Sequence, residues 1–249
     1  MSSLIMPVLD PKHDPMGTAI ADYYHTGEAE RLIVRSESFD DDEIPVKYLF
    51  RSYKQMPRLE RLALDKAKGQ VLDVGAGSGC HALHLQQKGH DVTAIDVSAL
   101  SVEVMKERGV EKVLQVNFFE PAFTGKYDTI LMLMNGIGIV GTVERLPLFF
   151  ERVKQLLAPE GVLYLDSSDL KYLFEEEDGS FLIDIAGAYY GEVDFQMVYK
   201  DIEGDQFDWL YLDFETLQYY CAQHGFEAKL VAEDNHFGYL ASLTYKVEK

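Results

Sequence analysis

The chain has 249 residues, a formal net charge of -19 at pH 7 and two cysteines. The excess of Asp and Glu argues against a nucleic-acid partner or an anionic membrane surface, because phosphate groups are bound through clustered Lys and Arg. The charge fits a small or cationic substrate, although acidity also serves solubility alone. Two cysteines are too few for a disulfide framework, and no apolar run reaches the roughly 18 residues of a membrane span. We therefore expect a cytoplasmic monomer or homodimer with one domain, or one domain with an insertion.

The first 69 residues are predicted to form an N-terminal arm followed by cap helices. Residues 1–17 are rich in proline and lack a steady periodicity, which predicts a surface arm or a partly disordered segment. A helix is predicted over residues 18–30 and a strand over 31–38. Helical spacing resumes at Ile44, and another helix begins at Pro57 and ends before Gly69.

A short apolar strand runs into a glycine turn at residues 71–80, whose sequence is VLDVGAGSGC. Glycines at positions 75, 77 and 79 allow positive φ and let a ligand approach the backbone, and the following helix presents free N–H groups. Asp73, at the strand end, would repel a pyrophosphate but attract an ammonium or sulfonium group. Cys80 stands where a dinucleotide-binding turn has its third glycine. The turn therefore predicts a positively charged nucleoside ligand.

The next strand, residues 91–95, ends in Asp96. A carboxylate at the end of the second strand can accept hydrogen bonds from both hydroxyls of a ribose. The competing role, a cap of the following helix, is assigned to Ser98. Further strands are predicted at residues 113–116, 127–134 and 162–165, with helices at 99–108, 147–157 and 214–224 and two final strands beginning at Phe226 and Tyr239.

The acidic glycine loop and its flanking strand and helix resemble the first motif of the class I S-adenosylmethionine-dependent methyltransferases. The resemblance covers roughly Val71 to Asp166. It implies an α/β, Rossmann-like fold with a seven-stranded, mainly parallel sheet, an antiparallel last strand, and helices on both faces. Residues 70–166 and 211–249 would form this core. Residues 167–210, with two alternating runs typical of a β-hairpin, would form a β-rich insertion or lid.

The resemblance also implies roles in holding S-adenosylmethionine and its product S-adenosylhomocysteine. The methionyl part would lie on Asp73 and the loop, the ribose on Asp96, and the adenine on Asn117, which stands where the family usually has an acid, and on Phe118. Asn117 can instead be a turn asparagine, Phe118 a core aromatic and Arg51 a surface cation. The predicted cofactor-binding residues are Asp73, Gly75, Ala76, Gly77, Gly79, Asp96, Val97, Asn117, Phe118, Met134 and Arg51.

The acceptor is predicted to be a small molecule. The segment Asn135-Gly136-Ile137-Gly138 lacks the Asn or Asp, two prolines and aromatic of enzymes that methylate base amines, and neither cysteine follows a proline as in base-carbon methylation. An aromatic pocket for a cationic or planar acceptor could include Tyr172 and Tyr211, although packing within the insertion explains each aromatic as well. The substrate candidates are Tyr24, Tyr53, Asn135, Asp169, Tyr190 and Trp209. No metal ligand set is predicted.

The predicted reaction is an in-line displacement that places a methyl group on a nitrogen, oxygen or other nucleophile. Alignment and exclusion of water can supply much of the acceleration without an obligatory acid or base, so the sequence identifies no catalytic residue. Two alternatives stay open at this stage: a catalytically silent scaffold that binds the cofactor, and an NAD(P)-dependent reductase.

Overall fold

A computed structural model describes residues 8–175, 178, 180–182 and 187–245 of the chain. The α-helices are α1 (Pro15–Thr26), α2 (Arg58–Lys66), α3 (Cys80–Gln87), α4 (Ala99–Glu107), α5 (Leu146–Leu156) and α6 (Phe214–Gln223). The strands are β1 (Leu32–Arg35), β2 (Asp42–Ile44), β3 (Gln70–Val74), β4 (Asp91–Asp96), β5 (Lys112–Gln115), β6 (Tyr127–Met132), β7 (Leu157–Ser168), β8 (Glu192–Tyr199), β9 (Ile202–Glu203), β10 (Phe207–Leu210), β11 (Phe226–Glu233) and β12 (Gly238–Tyr245). Short 3₁₀ turns take the place of the helix predicted from Ile44.

The larger sheet within these residues has seven strands in the order β11-β12-β7-β6-β3-β4-β5. The five strands from β7 to β5 pair in parallel, and β12 is antiparallel to both of its neighbours. This confirms the predicted Rossmann-like α/β fold with an antiparallel last strand. The strand order reverses between β3 and β6, so ligands are expected at the carboxyl edge near that point.

Helices cover both faces of this sheet because its strands are apolar on both sides. Leu72 faces a core built with α5 and α6, where Phe149 and Phe150 are fully buried. Its neighbour Val71 faces the opposite core, which is built with α2, α3 and α4. Continuous apolar runs such as β6 are typical of parallel strands covered on both sides.

A second sheet has the order β10-β8-β1-β2, with β9 paired to β8. The strand β1 is antiparallel to β8, from Leu32 opposite Tyr199 to Arg35 opposite Gln196. A strand of the first 69 residues thus shares a sheet with strands of the predicted insertion, whose hairpin forms as β8 with β9 and β10. The predicted domain boundaries at 69/70, 166/167 and 210/211 stay a prediction.

The described part of the predicted N-terminal arm is tied to the rest of the protein by hydrogen bonds, and it becomes buried from Asp14 onward. Asp14 is fully buried and accepts a hydrogen bond from the Gly17 N–H at 2.8 Å, so it caps α1. Its other oxygen lies 2.5 Å from Ser98 Oγ, and the Leu9 N–H donates to the Val97 carbonyl. Residues 8–13 are exposed or half-buried, as expected of an arm laid on the surface, whereas residues 14–17 are packed and begin α1. Residues 1–7 lie outside the described part. No described helix is both long and apolar enough to cross a membrane.

Candidate functional site

The glycine loop between β3 and α3 is open on the side where a ligand would approach. Gly75, Gly77 and Gly79 have φ values of 66°, 56° and 81°, a left-handed conformation that side chains with a Cβ rarely adopt. A Cβ built on Gly75 meets no atom within 4 Å, and one on Gly77 meets only Ile20 of α1, at 3.9 Å. The loop therefore leaves space for a ligand against its backbone.

Asp73 supplies the loop with a carboxylate whose hydrogen bonds are incomplete. The residue is 2% exposed, and its Oδ2 has no hydrogen-bond partner among the described residues. Burial raises the pKa of this carboxyl. An unpaired, buried carboxylate oxygen is costly, and a ligand carrying an ammonium group relieves that cost. The residues present therefore fit the amino group of a methionyl ligand.

A cluster of buried charges lies beside the loop. The Arg51 guanidinium bonds to Glu60 and lies 4.3 Å from the centre of the Tyr48 ring. The same Glu60 oxygen lies 2.7 Å from Nε2 of His81, in the first turn of α3. Burial opposes ionisation of Glu60, but His81 and Arg51 outweigh it and lower the pKa of the carboxyl. The alternative of a surface cation is therefore wrong for Arg51, whose contact with a methionine carboxylate stays a prediction.

Asp96 joins the glycine loop to the start of α4. Its Oδ2 accepts from the Gly77 N–H at 2.8 Å and its Oδ1 from the Ser98 N–H at 2.9 Å. Ser98 Oγ accepts from Ser101, which confirms it as the cap of α4. Burial raises the pKa of Asp96 to about 6, and the backbone N–H groups of Ser98, Gly77 and Val97 offset part of that effect. The two carboxylate oxygens offer about four acceptor sites, so capacity remains to accept from a ribose hydroxyl.

The residues predicted to hold the adenine are engaged with the protein. Asn117 Oδ1 accepts from the Phe119 N–H at 2.7 Å, the geometry of a turn asparagine. The Phe118 ring is 3% exposed and packs in the core, 6.2 Å from the Phe149 ring centre. Stacking of the Phe118 ring on a base is therefore wrong, while contacts of Asn117 and of the Phe118 backbone with adenine stay a prediction.

A strained turn follows β6 at the carboxyl edge of the sheet. Met134 and Asn135 have φ values of 64° and 56°, and left-handed residues that are not glycine cluster at functional sites. Their N–H groups donate to the two oxygens of Asp166, at 3.1 Å and 2.7 Å. The Asn135 amide donates to the Leu210 carbonyl and accepts from Ser167 Oγ, so its side chain ties β6 to its neighbours.

Asp166 was not among the residues singled out from the sequence. It follows the last residue of β7 that pairs in parallel with β6, beside the strained turn. An acid near the carboxyl end of a parallel strand was the signal that could have found it. Burial raises the pKa of Asp166 to about 6, offset in part by the N–H groups of Asn135 and Met134.

The remaining substrate candidates fall into separate places. Trp209 lies on the 3₁₀ segment Gly136–Val140 that follows the strained turn, where a Cβ on Gly138 would come within 2.0 Å of the Trp209 Cε2. The Tyr190 hydroxyl donates to Asp169, which also pairs with Lys171 at 2.9 Å. The other two tyrosine candidates, Tyr24 and Tyr53, are held by contacts with other parts of the protein. Tyr24 packs with α4 and Leu49, and Tyr53 stacks on His84 at 4.2 Å and donates to Asp65.

Comparisons with known proteins agree with this geometry. A family profile for the methyltransferase domain matches residues 47–227. The structure of an S-adenosylmethionine-dependent methyltransferase from Bacteroides fragilis, in complex with S-adenosylhomocysteine, is 59% identical, with a TM-score of 0.93. The match covers 98% of this chain and 100% of that one.

More distant relatives match over shorter stretches. The methyltransferase YqeM of Bacillus subtilis is 31% identical over 104 residues, which are 40% of this chain and 42% of that protein. A ubiquinone biosynthesis O-methyltransferase of Xanthomonas oryzae is 24% identical over 177 residues, 67% of this chain and 69% of that protein. The chain thus spans less than half of the first relative and about two thirds of the second.

Proposed function

The chain belongs to the class I S-adenosylmethionine-dependent methyltransferases, and from that premise we propose that it transfers the methyl group to a small-molecule acceptor. S-adenosylmethionine is the cofactor, which removes the nicotinamide alternative, and methyl transfer is the activity, rather than the role of a silent scaffold. When bound, the sulfonium supplies an activated methyl group.

The loop residues are proposed to bind and orient the cofactor. Asp73 meets the ammonium group through its unpaired oxygen, the Gly75–Gly79 backbone carries the methionyl chain, and Asp96 accepts the ribose hydroxyls. The helix α1 lies over the same loop, with Ile20 against Gly77, and Leu9 in the segment before it bonds to Val97 beside Asp96. Such a cover excludes water and restricts motion, and both effects favour an in-line displacement.

The proposal of a small acceptor rests on the carboxyl edge of the parallel sheet beyond β6, which the second sheet covers. The second sheet lies against the strained turn, where Trp209 rests on Gly138 and the Asn135 amide bonds to Leu210. The aromatic side chains on this part of the sheet touch in series, with Phe207 5.9 Å from Trp209 and 6.2 Å from Phe195. A covered, aromatic edge suits a compact acceptor better than a nucleic acid, which needs an open basic surface.

Two further observations support this acceptor class. The net charge of -19 disfavours a polyanion. The similarity to an O-methyltransferase of ubiquinone biosynthesis offers a small-molecule precedent at low identity. A cytoplasmic location, on the evidence of two free and buried cysteines, and a monomeric or homodimeric state belong to the same proposal.

The proposal is tested by offering three pools of acceptors to the full chain with methyl-labelled S-adenosylmethionine. The pools are a cell extract freed of macromolecules, the protein fraction, and the RNA and DNA fraction. We expect label only in the first pool, and the labelled compound is then identified by mass spectrometry. A Trp209→Ala variant should lose transfer while keeping its affinity for S-adenosylhomocysteine. Label found in protein or nucleic acid alone would overturn the small-molecule assignment.

A further inference from the structure

Asp166 occupies a position that the binding of the cofactor does not explain. The residues Asp73, Leu131 and Tyr164 lie side by side on three adjacent parallel strands, so their side chains share one face of the sheet. Asp166 is two residues beyond Tyr164 in β7 and therefore lies on that same face, one residue past the last pair that β7 forms with β6. Two strand spacings, about 10 Å, separate its strand from that of Asp73. The carboxylate thus stands beside the methionyl subsite, toward the acceptor.

The backbone around Asp166 is arranged to hold a carboxylate. Met134 and Asn135 both adopt the left-handed conformation, and this directs their consecutive N–H groups to its two oxygens. Each oxygen keeps one lone pair for another donor. Among the described residues, Asp166 has no ion pair, whereas Glu60 is paired with Arg51 and Asp169 with Lys171. Like Asp73 and Asp96, Asp166 is therefore a carboxylate at this edge without an ion pair among the described residues, and of the three it is the one held by the strained turn.

We propose that Asp166 is the catalytic base that takes the proton from the acceptor's nucleophilic atom. The assignment rests on the proposed function, because it needs an acceptor whose oxygen or nitrogen carries a proton. That proton passes to an Asp166 oxygen as the acceptor's lone pair forms the bond to the methyl carbon. The carbon–sulfur bond breaks and leaves its electron pair on sulfur, so charge and atoms balance.

The electrostatic surroundings suit this role. Burial raises the pKa of Asp166 to about 6, which leaves it mostly ionised at neutral pH and close to the range in which a base works efficiently. The charged and titratable groups around it are Glu60 on α2, His81 on α3, Tyr48 on the 3₁₀ turn Val46–Phe50, and Tyr239 on β12. Glu60 disfavours and His81 favours the ionised carboxyl.

The test uses two ligands that need no acceptor, S-adenosylhomocysteine and sinefungin. Sinefungin carries a primary amine on carbon in place of the methylsulfonium, so its ammonium lies where the methyl group meets the acceptor. Calorimetry at pH 7 gives both Kd values for the wild type and for Asp166→Asn. We expect the preference for sinefungin to fall about tenfold or more in the variant, as for a lost hydrogen bond to a charged group. Affinity for S-adenosylhomocysteine should change little.

Asp128→Asn is the matched control, because Asp128 accepts one backbone N–H from Gln70 at the opposite edge of the same sheet. An unchanged preference in Asp166→Asn would mean that the carboxylate does not reach the methyl position, and would overturn the proposal. Equal weakening of both ligands would also overturn it, since Asp166 would then bind the ammonium that the two share.

The wild type alone provides a second measurement that does not depend on how well a variant folds. The ratio of the two Kd values should shift toward sinefungin as the pH rises through about 6. Asp96 and Asp73 act on parts common to both ligands, so their titration cancels in the ratio. A flat ratio across this range would contradict the assignment. These outcomes do not involve the acceptor and stay separate from the result of the labelling experiment.

Discussion

Asp96 links ligand binding to the geometry of the glycine loop at the scale of one side chain. It accepts from Gly77 in the loop and from Ser98 at the start of α4, so the two elements are positioned by the same carboxylate. That carboxylate is also the one proposed to accept the ribose hydroxyls. Its removal should therefore affect the ligand directly and the loop indirectly.

We expect Asp96→Ala to weaken the binding of S-adenosylhomocysteine by roughly 1 to 3 kcal/mol, because hydrogen bonds to a charged group are lost. Isothermal titration calorimetry measures the change. Asp91→Ala is a matched control at the other end of β4, where an exposed Asp91 pairs with Lys112. An unchanged Kd in a folded Asp96→Ala protein would remove Asp96 from the site.

At the scale of secondary elements, the contact between β10 and the turn after β6 shapes the edge of the sheet where the acceptor is proposed to bind. Gly138 has no left-handed φ, so its backbone tolerates an alanine, yet the added Cβ would lie 2.0 Å from Trp209 Cε2. The requirement for glycine is therefore steric. We expect Gly138→Ala to destabilise the protein by about 1 to 3 kcal/mol through overpacking, as measured by urea unfolding.

A double-mutant cycle separates this cause from a general loss of stability. Trp209→Ala alone removes packing, but in combination with Gly138→Ala it makes room for the new methyl group. The cost of the double variant should be clearly below the sum of the two single costs, as expected for residues in contact. Strict additivity would show that the indole and the turn do not interact as described.

Elements defined by local sequence could be predicted, whereas those defined by distant partners could not. The glycine turn, the Ser98 cap and the apolar run of β6 each carry their signal within a few residues. The pairing of β1 with β8 joins segments on either side of the whole parallel core, and nothing in either strand specifies the other. Arg51 is similar, because its buried guanidinium contacts Glu60 and His81, which lie on two later helices.

At the scale of the whole molecule, carboxyl groups whose burial is energetically unfavourable lie along one edge of the parallel sheet. Asp73, Asp96 and Asp166 end neighbouring or nearly neighbouring strands, and burial raises the pKa of all three carboxyls. Two of the three were predicted, because an acid after a strand and before a glycine or a helix cap stands out in sequence. Asp166 lies among serines in a strand of ordinary composition, and only the folded backbone of Met134 and Asn135 distinguishes it.

This arrangement predicts how stability depends on pH. The pKa of Asp166 rises from 3.8 to about 6 on folding, so the folded state binds more protons than the unfolded state between these values. Stability from this group is therefore fully present below about pH 4 and lost as the pH rises through 6. Asp166→Asn removes this loss. Between about pH 4 and pH 7, the free energy of unfolding of the variant should rise relative to that of the wild type by on the order of 1 to 2 kcal/mol. This is less than the full value of about 1.4 kcal/mol per pKa unit, because water partly reaches the group.

Urea unfolding of the wild type, Asp166→Asn and the control Asp128→Asn across this range measures the effect, and the difference between proteins isolates one carboxyl from the many others that titrate. The sign of this difference in the free energy of unfolding is decisive. If the carboxylate stabilised the fold, the variant would become less stable than the wild type as the pH rises. If the variant instead becomes more stable than the wild type toward neutral pH, the ionised Asp166 destabilises the folded protein. Such a cost is expected of a group that is retained for what it does to a ligand.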